Sequence, residues 1–275
     1  MLDHQTEIRA GERFAFGANW RAFVELVDEA RIAAAVGSLV HALGTSDLAG
    51  RTFLDVGCGS GLFSLAAHRL GARVHSFDYD TESVAATAEL RARFATDSAW
   101  TVEPGSILDE RYVASLGRFD IVYSWGVLHH TGHLHDAMAA AAGLVAPGGR
   151  LYMSVYNDQG RASRVWRRVK HRYNRSSRPM RLLLIALSFG YLHRNRPLNL
   201  AWQLLRRRRP PALRSPRLRG MSAKHDLVDW VGGYPFEVAK PEEVFAFLRP
   251  LGFELRYLKT CAGGLGCNEY VFERT

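Results

Sequence analysis

The run Leu54-Asp55-Val56-Gly57-Cys58-Gly59-Ser60-Gly61 decides how the rest of the chain is read. An apolar strand pattern from Thr52 to Val56 passes directly into alternate glycines, and a helical pattern from Gly61 to Leu70 follows. Without a Cβ, Gly57 and Gly59 let the backbone come close to a bound molecule, and Gly61 opens the helix. A glycine-rich turn alone admits several ligands. The dinucleotide spacing G-x-G-x-x-G is missed here, because the third glycine comes one residue early and Ala66 and Ala67 follow in the helix. Asp55, acidic and inside the strand, also points away from that pattern.

On either side of this turn, apolar runs alternate with helical stretches. Strands are predicted at Thr52–Val56, Arg73–Phe77, Trp100–Glu103, Asp120–Ser124 and Arg150–Tyr156, with helices at Gly61–Leu70, Thr81–Phe94 and Leu134–Val145. One leading helix is predicted from Trp20 to Leu43, stopped by Gly44. Near the other end, a helix at Pro241–Leu251 and strands near Phe253–Leu258 and Asn268–Phe272 resume the alternation. This order predicts a parallel sheet with helices on both faces and a ligand at the carboxyl ends of the strands. Asp78 closes the second strand, 21 residues after Gly57, where a carboxylate can accept both hydroxyls of a ribose. Gly105, Ser106 and Ile107 follow the third strand, where an adenine edge would lie, and Pro147-Gly148-Gly149 predicts a turn before the fifth.

At 275 residues, one α/β domain with an insertion accounts for the length. The hydrophobic share of 47% and charged share of 23% exclude wholesale disorder and a membrane-embedded chain. Met1 is followed by Leu2, Asp3, His4 and Gln5, without the basic start and apolar core of a secretory signal, so a cytoplasmic setting is expected. Cys58, Cys261 and Cys267 lack C-x-x-C spacing, so neither a disulfide framework nor a metal site is expected. The net charge of +9 is not spread evenly. Between Arg161 and Arg219 there are 18 Lys or Arg and no acidic residue, which leaves 18 basic against 27 acidic residues elsewhere.

That basic segment breaks the strand and helix alternation. It divides the chain into a core over residues 1–160, a basic helical insertion over 161–225, and a completion of the core sheet over 226–275. Arg164, Arg167, Arg168, Lys170, Arg172 and Arg175 surround Val165, Trp166, Val169 and Tyr173 at helical spacing, the pattern of a basic amphipathic helix. Met180 to Leu192 is apolar but too short to cross a bilayer, which takes about 20 residues. A lid over the acceptor pocket is the preferred reading of the insertion, with peripheral membrane contact through 161–219 as the alternative. RNA binding through Arg206–Arg209 is disfavoured, since no aromatic stacking platform accompanies the arginines.

Taken with Asp55, Gly57, Gly59, Asp78 and Ser106, the chain resembles the class I S-adenosylmethionine-dependent methyltransferases, in the small-molecule branch that includes ubiquinone-biosynthesis O-methyltransferases. The resemblance implies a Rossmann-like α/β fold with a seven-stranded, mostly parallel sheet and the basic insertion after strand five. It also implies S-adenosylmethionine as cofactor, with the glycine turn on the methionine part, the acidic end of strand two on the ribose and the strand-three loop on adenine. The cofactor site is accordingly expected at Trp20, Asp55, Gly57, Cys58, Gly59, Asp78, Tyr79, Gly105, Ser106, Ile107 and Trp125. The leading segment Arg13 to Trp20, residues 226–236 and the tail from Gly263 to Glu269 resemble a subgroup in which the leading segment closes over the cofactor.

Methyl transfer is an in-line displacement that needs mainly alignment and exclusion of water, with a base only where the acceptor carries an acidic proton. The loop from Ser124 to Gly132 follows strand four on the acceptor side, and His130 is the preferred base, with His129 read as structural. Tyr156, Asn157, Asp158, His225, Asp226 and Asp229 are secondary candidates, any of which can instead cap a turn or helix. The Asn-Pro-Pro-Tyr motif of adenine and glutamine N-methyltransferases is absent after strand four, so nucleic acid is not the expected acceptor. A small-molecule oxygen or nitrogen is, and the alternative is transfer or cyclisation of the cofactor's aminocarboxypropyl arm with release of methylthioadenosine.

Overall fold

The structure is a computed structural model that describes residues 4–95, 99–193, 228 and 230–275. Its centre is a seven-stranded sheet: β1 (Thr52–Val56), β2 (Arg73–Asp78), β3 (Trp100–Pro104), β4 (Phe119–Trp125), β5 (Val145–Tyr156), β6 (Phe253–Lys259) and β7 (Cys267–Arg274), in the order β3-β2-β1-β4-β5-β7-β6. The first five strands run parallel, while β7 is antiparallel to both β5 and β6. Strand order reverses between β1 and β4, which opens a crevice at their carboxyl ends.

The helices are α1 (His4–Arg9), α2 (Phe16–Val24), α3 (Glu29–Leu43), α4 (Leu62–Arg69), α5 (Thr81–Phe94), α6 (Glu110–Leu116), α7 (Leu134–Gly143), α8 (Arg161–Asn174), α9 (Arg178–His193) and α10 (Pro241–Leu248). Side chains alternate across a strand, so β1 feeds two cores. Phe53 joins Phe63, Tyr123 and Tyr152 under α3, α4 and α5, while Leu54 and Val56 join Val122, Leu151 and Met153 under α7 and α10. Burial on both faces explains why β1 reads as a nearly continuous apolar run.

Three departures from the sequence reading have local causes. The single helix expected from Trp20 to Leu43 is two, because Asp28 turns extended and its carboxylate accepts the Arg31 N–H at 2.8 Å, capping α3 afresh. This break lets α2 face the crevice while α3 packs on the sheet. The turn expected at Pro147-Gly148-Gly149 lies inside β5, as an irregularity where the pairing of β4 with β5 shifts register between Phe119 and Ile121. Gly149 fits there because a Cβ would stand only 2.8 Å from the Asp120 carbonyl oxygen. Finally, α6 went unread; it is short, and Asp109 caps it by accepting from the Arg111 and Tyr112 N–H groups.

Within the basic segment, α8 begins at Arg161 and α9 carries the apolar stretch. His225, Asp226, Asp229 and Arg206–Arg209 lie outside the described residues. Among the described residues, no helix is long and apolar enough to cross a membrane, and no group of three or more His, Cys, Asp or Glu is placed to hold a metal ion.

Candidate active site

The carboxyl ends of β1, β2, β3 and β4 meet at a cavity of about 630 Å³, within the size range of small-molecule sites. All twelve residues named from sequence for the cofactor and the preferred base line it: Trp20, Asp55, Gly57, Cys58, Gly59, Asp78, Tyr79, Gly105, Ser106, Ile107, Trp125 and His130. Gly57 and Gly59 hold left-handed backbone, φ 77° and 57°, and have no space for a side chain. A Cβ on Gly57 would come within 2.4 Å of Val127, and one on Gly59 within 3.0 Å of the Trp20 indole nitrogen. Trp20 thus covers the glycine turn from α2.

Asp78, at the end of β2, has one carboxylate oxygen accepting the Gly59 N–H at 2.9 Å and the other accepting the Asp80 N–H at 2.9 Å. Burial pushes its carboxyl up to about 6, against those two hydrogen bonds and the pull of Arg13. Asp55 is more deeply placed. It accepts from the Ser64 hydroxyl at 2.5 Å, Ser64 meets Ser76 at 2.7 Å, and the Trp100 indole donates to Ser76 at 2.8 Å, a polar chain running across β1 and β2 behind the glycine turn. Burial raises its carboxyl to about 7, with the Ser64 bond opposing and the charge of Asp78 adding. The Cys58 thiol, also buried, is pushed well up and takes a hydrogen bond from Thr87, the state of an unreactive thiol. Past Asp78, Gly105 lies so close to the Tyr112 ring that a Cβ would meet it at 2.3 Å.

The opposite end of the cavity is aromatic, with Phe16, Trp125, His130, Tyr156 and Trp230 on its walls and Lys259 and Cys267 at the tips of β6 and β7. His130 is fixed through Nδ1, which lies 2.6 Å from the Pro235 carbonyl; a carbonyl only accepts, so Nδ1 carries the proton and Nε2 is the acceptor. Burial, then the charges of Lys170 and Arg13, lower its pKa to about 3. The ring is therefore neutral throughout the physiological range, with little affinity for a second proton, unlike the near-neutral base expected from sequence. His129 is fully buried, and its ring lies tilted against Tyr156 with centroids 4.1 Å apart, in keeping with a structural place. Among the secondary candidates, Tyr156 lines the cavity, whereas Asp158 accepts the Gly160 N–H ahead of α8 and Asn157 binds Asn268.

Lys170 was legible in sequence only as one cation among many. In the structure it is fully buried, and it donates to the Trp230 carbonyl. Its ammonium stands 4.5 Å from the Trp230 ring centre, 4.7 Å from Phe236 and 5.4 Å from Tyr156, a cation held against three ring faces. Arg13, likewise unselected, donates to the His130 carbonyl at 2.9 Å and lies over the Tyr79 ring. The leading segment is tied down by the Gly17 N–H donating to Asp80 at 2.8 Å, so α2 roofs the crevice. The available signal for Arg13 and Phe16 was their place in that leading segment; for Lys170 there was none, since helical spacing does not distinguish a buried cation from its solvated neighbours.

The sequence pattern defining the methyltransferase domain matches residues 28–208, well over half of the chain. The chain belongs to the methyltransferase-domain family. A ubiquinone biosynthesis O-methyltransferase of Burkholderia multivorans is 38% identical over 111 residues, which are 40% of this chain and 46% of that protein. A protein of the same name from a Methylobacterium species is 31% identical over 115 residues, 42% of this chain and 45% of that one. This methyltransferase-domain chain thus spans about half the length of the curated relatives it matches. The crystal structure of magnesium protoporphyrin IX methyltransferase from Synechocystis, with bound S-adenosylhomocysteine, matches with a TM-score of 0.50 at 16% identity, covering 100% of this chain and 89% of that one. At that identity the likeness is one of fold, and it agrees with the sheet order of this methyltransferase domain.

Proposed function

We propose that the chain binds S-adenosylmethionine across the strand ends and transfers its methyl group to an oxygen of a small aromatic molecule. The observation that carries this reading is Asp78, a carboxylate at the end of β2 facing Gly59 at the topological switch point, beside a turn with no room for side chains. The residues fit the group. Ribose hydroxyls can donate to Asp78, the backbone at Gly57 and Gly59 can approach the methionine part, and Gly105, Ser106 and Ile107 border the region for adenine. Once bound, the sulfonium supplies an electrophilic methyl carbon. The protein's work is then alignment and exclusion of water.

Two features favour an acidic hydroxyl over an amine as acceptor. His130 presents an unprotonated Nε2 that accepts a hydrogen bond and so orients a hydroxyl. Lys170 and Arg13 supply positive charge near the same ring, which favours an acidic hydroxyl that releases its proton to water on binding and repels an ammonium. Phe16, Tyr156 and Trp230 offer ring faces to a planar substrate.

The test is mass spectrometry of the protein incubated with cell extract and S-adenosylmethionine labelled differently in the methyl group and in the amino acid arm. A methyl-labelled product together with S-adenosylhomocysteine is expected. Arm label in a product, with methylthioadenosine accumulating, would overturn methyl transfer while leaving the cofactor assignment.

A further inference from the structure

The lid reading of the insertion uses only one face of it. On α8, Trp166 and Lys170 are buried against Trp230 of the cavity wall, Tyr173 against Phe14, and Asn174 donates to the Gly232 carbonyl. On the other side of α8, Arg161, Arg164, Arg168 and Arg172 are exposed, and α8 and α9 themselves offer them no carboxylate. Next to them, α9 turns Arg181, Leu184, Ile185 and Ser188 inward and leaves Met180, Leu182, Leu183, Leu187, Phe189 and Tyr191 exposed. Leu182 is 68% exposed and Leu187 61%, with Leu183 and Met180 beside them and Val165 exposed on α8. Of the eleven large apolar side chains exposed among the described residues, seven lie on these two helices. Such a concentration marks an interaction surface rather than the scattered exposure usual for a soluble domain.

We infer that the α8–α9 face docks on an anionic lipid bilayer surface, lying in the headgroup region with the α9 leucines inserted. Charge selects this occupant. Neither helix carries an acidic residue, while the chain outside residues 161–219 holds 18 basic and 27 acidic residues, so an anionic surface attracts this face and repels the rest. At 16 residues α9 lies along a bilayer and does not cross it. A second copy of the chain would bring two arginine rows together, and nucleic acid would leave the leucines in water. The docked face also communicates with the cavity, because Trp166 packs 6.0 Å from Tyr191 of α9 and 5.5 Å from Trp230 on the cavity wall. A lipid-soluble acceptor would thus meet the acceptor end at the membrane.

Flotation of the full chain with vesicles tests this without cofactor or acceptor, so its result is independent of the methyl-transfer reading. Wild type is expected to float with phosphatidylcholine–phosphatidylglycerol vesicles and to remain unbound with phosphatidylcholine alone. R164Q/R168Q/R172Q should weaken partitioning roughly fivefold per arginine, and L182Q/L187Q should abolish flotation while preserving the melting temperature and S-adenosylhomocysteine affinity. Absence of flotation with the anionic vesicles overturns the proposal. So does flotation unaffected by L182Q/L187Q and removed by RNA, which would mark a general polyanion site. Self-association in light scattering that L182Q/L187Q abolishes, without flotation, would instead assign the face to a second copy.

Discussion

The two ends of the cavity are built by different means. Three carboxylates, Asp55, Asp78 and Asp80, lie at one end, all on or just after the strands β1 and β2 that flank the crevice. The other end is aromatic, and its parts come from everywhere: Phe16 from α2, His130 from the loop after β4, Trp230 from beyond the basic segment, Lys259 from the end of β6, with Lys170 of α8 packed behind Tyr156 and Trp230. An end made of strand termini inherits its geometry from sheet hydrogen bonding. An end made of converging segments is set by tertiary packing, and its chemistry follows from which side chains that packing desolvates.

The largest effect should come from the strand-built end. Asp78→Ala removes a carboxylate able to take two ribose hydrogen bonds, each worth about 1.5–3 kcal/mol when one partner is charged. Calorimetry should show S-adenosylhomocysteine binding weakened by about a hundredfold or more, and unchanged affinity would remove Asp78 from the site. The same end should respond to pH through Asp55. Its carboxyl is raised from 3.8 to about 7 in the fold, so the fold is favoured by the protonated form. That contribution is complete below the unfolded value and is lost as pH rises through about 7. Wild type without cofactor should therefore lose melting temperature as pH rises from about 4 to about 7 and level off above it, and Asp55→Asn should hold its melting temperature over that range, by roughly 5 °C. Parallel curves for the two proteins would show that the Ser64 and Ser76 chain stabilises the charged form instead.

The acceptor end should yield smaller numbers. If His130 orients a hydroxyl through one neutral hydrogen bond, His130→Ala should lower turnover roughly tenfold with cofactor affinity retained, and the wild-type rate should show no inflection near the ordinary histidine value of about 6.5. A loss in the range of about 10²–10⁴ would instead mark a true general base. The smallest expected change is electrostatic. Lys170→Met takes away a charge that depresses His130, so the His130 imidazole should titrate above its present value of about 3 when followed by NMR, while S-adenosylhomocysteine affinity stays within about twofold. An unmoved titration would separate Lys170 from the acceptor end and leave it a purely structural cation.

The same contrast explains how far the sequence could be read. The seven strands were legible because buried strands leave short apolar runs between turns, and β1 with its glycines is the clearest of them. The break between α2 and α3 was hidden because apolar spacing continues across it, and only the cap at Asp28 interrupts the helix. Every residue named for the cofactor lines the cavity, because the rule that ligands collect at strand ends converts sequence position directly into place. His130 was found by the same rule, but its protonation was not, since that depends on Pro235, Lys170 and Arg13, which lie 105, 40 and 117 residues away in sequence.

By itself, then, the sequence determined the sheet, the glycine turn, the carboxylates beside it and the uneven distribution of charge, all of which are local or periodic properties of the chain. Tertiary structure alone decided that one lysine of a basic helix is buried against three rings while its neighbours face water, and that a histidine suited to near-neutral titration stays unprotonated. The reason is desolvation, which depends on what packs around a group in space.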